Sequence, residues 1–214
     1  AAPAHLALAD EFPASEFVGY DRLTESGKVL AVLKDGNRAE AAEEEDRVEV
    51  LLDRTPFYAE SGGQLGDRGV LENEGLRFDV DDCRAPVPGC RLLSGVVRRG
   101  TLRVGDEVEA RVDPRRRDDT QLNHSATHLL HAVLREVLGD HVKQAGSLVA
   151  PDRLRFDYTH FSAMTPRERE RVEEIVNTHI RANAPVRWDE MPIEEALAQG
   201  AMALFGEKYG DVVR

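Results

Sequence analysis

The chain is poor in sulfur and in aromatic rings. Two cysteines, Cys83 and Cys90, and three methionines occur in 214 residues. Two thiols do not build the disulfide framework of a small secreted domain, so a reducing cytoplasm is the expected compartment. Their spacing does not match the close Cys pair of a zinc knuckle, which leaves them as ordinary thiols. Aromatic residues make up 6% and apolar residues 41% of the chain, as in an ordinary soluble protein. No run approaches the roughly 18 consecutive apolar residues of a membrane span, so no membrane partner is expected. The opening Ala1-Ala2-Pro3 lacks a basic region followed by an apolar core, and it lacks an initiator Met. No signal peptide is expected, and the start reads as a piece excised from a longer protein or as a processed start.

Positive charge is also scarce. Lys and Arg number 28 against 40 Asp and Glu, a net charge of −12. Such a surface does not attract nucleic acid by its bulk field. The distribution is uneven, because residues 84–117 hold nine arginines against four acids. These arginines can contact phosphate, or they can alternate with acids on exposed strands. The densest acidic run, Glu43-Glu44-Glu45-Asp46, reads as a solvated loop.

A chain of this length holds one large or two modest domains. Residues 1–26, with Pro3 and Pro13, read as an irregular lead-in linker. From Gly27 onward short apolar runs alternate with turns: 29–33, 47–53, 75–82, 91–98 and 106–112. Regular short strands with Gly-rich turns predict a small β-barrel or sandwich over 27–113. After Asp113-Pro114 the pattern changes. Asp119 or Thr120 can cap a helix over 121–138, which Gly139 closes. At about 100° per residue, Leu122, Ala126, Leu129, Val133 and Val137 share one face, and His124, His128, His131 and Arg135 lie nearly opposite. A strand through Leu154, Phe156 and Tyr158 follows. Thr165-Pro166-Arg167-Glu168 is a capping box that opens a further helix. A strand over 185–191 and a short helix over 193–199 complete the pattern. Residues 114–214 therefore predict helices packed on a mixed, mainly antiparallel sheet, a two-layer α/β arrangement, and the whole chain is of the α+β class.

Four segments carry possible chemistry. Asn123-His124-Ser125-Ala126-Thr127-His128 puts two imidazoles one helical turn apart, where they can share a metal ion or simply make hydrogen bonds. Ser125 occupies the position where a zincin metalloprotease helix has its general-base Glu, which argues against peptidase chemistry. Two imidazoles also fall short of the three protein ligands a zinc site needs. In Glu60-Ser61-Gly62-Gly63-Gln64, the glycines allow close backbone approach and the Gln amide can orient a water or carbonyl; a turn between barrel strands is the plainer reading. Gln144, within Lys143-Gln144-Ala145-Gly146-Ser147, faces a cleft or is a polar loop residue. Residues 203–211, Ala-Leu-Phe-Gly-Glu-Lys-Tyr-Gly-Asp, can embrace an RNA end or form a tight turn.

Taken in order and spacing, residues 55–66, 123–131, 144–149 with 153–158, and 200–211 resemble the alanyl-tRNA synthetase family across nearly the whole chain. The resemblance implies a β-barrel followed by the editing domain, a fold similar to one in threonyl-tRNA synthetase and in free-standing alanyl editing proteins. It implies an aminoacyl-tRNA ester hydrolase within an alanine–tRNA ligase, acting on tRNA(Ala) mischarged with Ser or Gly. A synthetic pocket for alanine rejects these poorly, so a second site supplies the discrimination. The resemblance carries zinc over to His124 and His128, and a pocket-lining role to Gln144. Gln64, Glu60 and Thr127 complete the expected site. Expected partners are the tRNA acceptor end and the other domains of the parent synthetase. ATP and Mg2+ belong to an aminoacylation domain outside this chain. The family completes its zinc site with a Cys-x-x-x-His pair beyond the Gly-Glu-Lys-Tyr-Gly-Asp segment. The chain stops at Arg214, so half the ligand set is expected, and a truncated, non-catalytic tRNA-docking fragment is the alternative.

Overall fold

Alternation of apolar and polar residues folds the first half. In the strand Glu107–Val112, Val108, Ala110 and Val112 are buried while Glu107, Glu109 and Arg111 face solvent, the period of a sheet wet on one side. The computed structural model describes residues 2–187, 189–201 and 210–213. The segment at 203–209, singled out above with Gly210 and Asp211, lies outside the described residues.

In chain order the elements are α1 (Pro3–Glu11), β1 (Glu16–Phe17), β2 (Thr24–Lys34), β3 (Asn37–Ala39), β4 (Ala41–Ala42), β5 (Arg47–Leu52) and β6 (Arg54–Thr55). There follow β7 (Gly69–Glu72), β8 (Arg77–Val87), β9 (Cys90–Arg99), β10 (Leu102–Arg103) and β11 (Glu107–Val112). The second half holds α2 (Pro114–Leu138), β12 (Gln144–Val149), β13 (Leu154–Tyr158), α3 (Pro166–Ala182), β14 (Met191–Pro192), α4 (Ile193–Ala198) and β15 (Val212–Val213).

The strand β11 pairs antiparallel with both β7 and β2, which closes the order β11-β7-β8-β9-β5-β2 into a barrel, with β3 added on β2. Its interior is filled by buried side chains such as Val50, Phe57, Leu71, Phe78, Leu93 and Ala110. The expected α+β class holds: a mainly antiparallel barrel, then helices packed on a hairpin.

Two local readings are corrected. Residues 1–26 are not irregular throughout, because Pro3 stands in the first turn of α1, where its missing N–H costs nothing. Leu8 of that helix is buried against Ala31, Leu33, Leu51 and Leu92 on the outside of the barrel. Likewise α2 starts at Pro114 and not near 121. Asp113 is its N-cap, accepting a hydrogen bond from the Arg116 N–H at 3.1 Å. Pro114 both ends β11 and opens the helix.

The capping box forms as read. Thr165 N–H and Oγ1 donate to Glu168 Oε2 at 2.8 and 2.7 Å, and Glu168 N–H donates to Thr165 Oγ1 at 3.3 Å. Val172 of α3 joins Val133, Leu134 and Val142 in a separate small core that Phe156 and Ile175 also touch.

The chain packs as two compact units, 1–176 and 177–214. The sequence boundary at 113/114 marks the change from strands to helix without a break in packing. In the second unit, α4 precedes Gly200 at φ +92°, and β14 pairs with β15. The strand expected over 185–191 shrinks to Met191–Pro192.

Candidate functional site

Two glycines shape the loop that follows β6. Gly62 and Gly63 sit at φ +58° and +83°, conformations that side-chain-bearing residues avoid. Gly63 also lies so close to Ser147 that an added Cβ would meet its carbonyl oxygen at 2.5 Å. The close approach lets the loop pair with the edge of β12. Val149 N–H donates to Gly63 O at 2.7 Å, and Leu65 N–H donates to Val149 O at 3.0 Å. Gln64 is thereby held buried, with its side chain turned to α2.

The first turns of α2 are fastened to the same loop. Arg117, 5% exposed, pairs with Asp67 and donates to Gly19 O at 2.6 Å and Pro56 O at 2.9 Å. Asp67 also accepts from the Tyr58 N–H at 2.7 Å. Further along, Asn123 Nδ2 donates to Ala150 O at 2.7 Å. Next to the second clamp, His124 Nδ1 lies 2.6 Å from Gln64 Oε1. A carbonyl oxygen only accepts, so Nδ1 carries the hydrogen and Nε2 keeps its lone pair. Burial, then the neighbouring His128, pushes the His124 pKa below the ordinary histidine value and favours the neutral ring. The rings of His124 and His128 are 5.0 Å apart, tilted by 32°.

The structure therefore brings together His124, His128 and Gln64. It spends the other expected site residues differently. The Thr127 hydroxyl is buried and donates back to Asn123 O at 2.8 Å, within the helix. Glu60 is exposed, 3.5 Å from Arg84 Nε on β8. Gln144 is exposed at the opening of β12 opposite Tyr158, the far end of the hairpin from the Gln64–Val149 bridge.

The helix faces also differ from the sequence reading. Leu122 is 69% exposed, whereas Arg117, Thr120, Thr127 and His131 are buried. The first half of α2 packs on a polar loop, so its buried side is polar; only the second half meets apolar residues. The His131 ring lies 5.0 Å from that of Phe156, with Nε2 buried and unpartnered.

Among the described residues no three His, Cys, Asp or Glu side chains come together as a metal site. The two imidazoles have suitable chemistry but fall short of zinc's three protein donors. Both cysteines are free and buried, and burial raises the pKa of each thiol, so neither is a ready thiolate.

The arginine-rich stretch resolves mostly into the plainer alternative. Arg84 pairs with Asp82, Arg98 with Asp79, and Arg111 with Glu72, while Arg91 stacks over Phe17 and donates to Ser15 O. A groove of about 440 Å³ remains at the junction of β11 and α2, lined in part by Arg68, Arg77, Arg111 and Arg116. No helix among the described residues is long and apolar enough to cross a membrane.

Sequence reasoning missed the Arg117–Asp67 clamp and a ring cluster of His141, His160 and Phe161 at the Gln144 end of the hairpin. A single arginine in an arginine run, and rings separated by 19 residues, leave no local pattern to read.

Comparison with known proteins shows what the chain is similar to. The profile of the tRNA synthetases class II (A) matches residues 3–116. An alanine–tRNA ligase of Thermus thermophilus is 57% identical over 201 residues, 94% of this chain and 23% of the relative. Those of Acetivibrio thermocellus and Chloroflexus aurantiacus are 54% and 50% identical over 96% and 95% of this chain, again 23% of each relative. The chain thus spans about a quarter of the length of the curated relatives it matches. Identity at this level, running from the barrel through the histidine helix, means that the chain belongs to the alanyl-tRNA synthetase family of class II (A) tRNA synthetases.

Proposed function

We propose that this region is the editing part of an alanyl-tRNA synthetase, hydrolysing the ester of tRNA(Ala) wrongly charged with Ser or Gly, in the cytoplasm. The observation that carries the reading is the pairing of Gln64 with His124. A loop on the barrel and a helix beyond it jointly hold a neutral imidazole beside a second one. Ester hydrolysis needs a positioned water, a proton acceptor and stabilisation of the developing oxyanion. Gln64 fixes the His124 ring through Nδ1, which leaves Nε2 free to face a ligand or accept a proton. Gln144, Glu60 and Thr127 remain candidates for substrate contact, Thr127 through its methyl group while its hydroxyl bonds the helix.

Zinc belongs to this proposal through the family. His124 and His128 would hold part of its coordination shell, and the metal would polarise a carbonyl or a water. The test is deacylation of Ser-tRNA(Ala) with zinc quantified in the same sample. His124→Ala and Gln144→Ala should each abolish turnover, and a retained rate in both would overturn the reading.

The second reading is RNA docking without turnover. The arginine groove favours it, since Arg68 and Arg116 have no side-chain ion-pair partner among the described residues. Arg68→Glu with Arg116→Glu should weaken RNA binding and flatten its salt dependence. Unchanged affinity would remove the groove from the interface.

A further inference from the structure

Outside the histidine pair, the most unusual cluster on the surface is made of rings. His141 follows α2 after Gly139 and Asp140, and His160 and Phe161 follow β13. The strands β12 and β13 bring them to one end of the hairpin, where Gln144 pairs with Tyr158 and Thr159 N–H donates to Lys143 O at 3.0 Å. His141 Nε2 and His160 Nδ1 are hydrogen-bonded at 2.8 Å, with ring planes 18° apart and centroids 5.0 Å apart. A bond along the ring edges at that spacing makes the two imidazoles one nearly flat surface. Phe161 lies on His141, centroids 4.4 Å apart and planes 25° apart. Phe161 is nonetheless 87% exposed.

A ring stack that ends in an exposed phenyl face is unfinished. Burying that face would remove a large apolar surface from water, yet no described residue covers it. The surroundings favour an anionic partner with flat rings. Lys143 is exposed beside the stack and has no ion-pair partner among the described residues. Two neighbouring carboxylates are engaged, Asp140 with Arg135 and Glu168 with the Thr165 cap. An unpaired nucleobase with its phosphate fits this combination, because every base offers a π face and RNA recognition commonly stacks splayed bases on exposed aromatic rings.

We infer that Phe161, backed by the His141–His160 pair, is a stacking platform for an unpaired base at the 3′ end of the RNA, with Lys143 beside its phosphate. The inference rests on the reading of tRNA as partner and adds a binding contact that the hydrolytic site does not require. It places the single-stranded end along the hairpin edge that carries Gln144.

The test measures binding of uncharged RNA by fluorescence anisotropy, using one hairpin with a single-stranded 3′ overhang and one with a blunt end. Phe161→Ala should weaken binding of the overhang RNA by about tenfold. It should leave the blunt hairpin unchanged, and Phe161→Trp should restore the loss while Phe161→Leu should not. Wild-type affinity of Phe161→Ala for the overhang would overturn the platform. So would an equal loss on both RNAs, or full rescue by leucine, which would point to an apolar contact with another protein domain. Deacylation measured alongside separates the two readings. A wild-type chain without turnover but with intact overhang binding sinks the editing reading alone, whereas a normally binding Phe161→Ala variant sinks the platform alone.

Discussion

Arg117 shows how much one residue can hold. Its guanidinium is buried, paired with the equally buried Asp67, and bonded to two backbone carbonyls. Removing one member of such a pair leaves a charge without solvent or partner, which costs about 3–5 kcal/mol. Arg117→Ala should therefore lower the urea midpoint sharply. Arg117→Lys should rescue little, because an ammonium cannot reproduce the planar fork. At the same scale, burial holds the pKa of His131 below the ordinary histidine value against the raising effect of a ring N–H hydrogen bond to the Val142 backbone, with Arg135 and His128 adding to the lowering. Below about pH 6.5 the unfolded chain takes up a proton that the folded chain resists, so stability falls as pH falls. Denaturant midpoints across that range should show the slope, and His131→Leu should flatten it.

At the scale of elements, the site depends on a loop behaving as a short strand. Gly63→Ala places a Cβ against the Ser147 backbone and strains a positive φ. We expect the loop to lift from β12, seen as faster hydrogen exchange at the amides of Leu65 and Val149, with the barrel strands unaffected. Much of this level was legible in sequence. The alternation in Glu107–Val112 and the Thr165 capping box translated directly into structure. The His124–His128 spacing did so as well, because a helix converts four residues into one turn. The polar underside of α2 did not, since which face is buried depends on what lies opposite, and opposite lies Asp67 and Gln64 rather than an apolar sheet. Pro114 misled for a related reason: a proline that ends a strand is equally suited to begin a helix.

At the scale of the whole molecule, the two compact units should differ in resistance to opening. The first contains a closed barrel with a continuous buried core, and the second has two-residue strands and a six-residue helix. Local opening costs little where few apolar groups are buried. Amides of residues 191–198 should exchange well before those of β8 and β9, and a single cooperative exchange rate across both units would contradict this. Charge acts at this scale too. With −12 overall, any affinity for RNA must come from local features, and generic duplex DNA should bind poorly even at low salt.

The direct junction between β11 and α2 has a further consequence. Only Asp113 separates the strand from the helix, and Arg117 locks the first turn, so the angular phase of α2 is fixed before the chain reaches His124. Each residue of a helix advances that phase by about 100°. One residue inserted between Thr120 and Asn123 would leave the clamp seated while swinging both imidazoles about a quarter-turn or more from Gln64. The spacing from clamp to imidazole is a dial setting, and length changes there should be far less tolerated than substitutions.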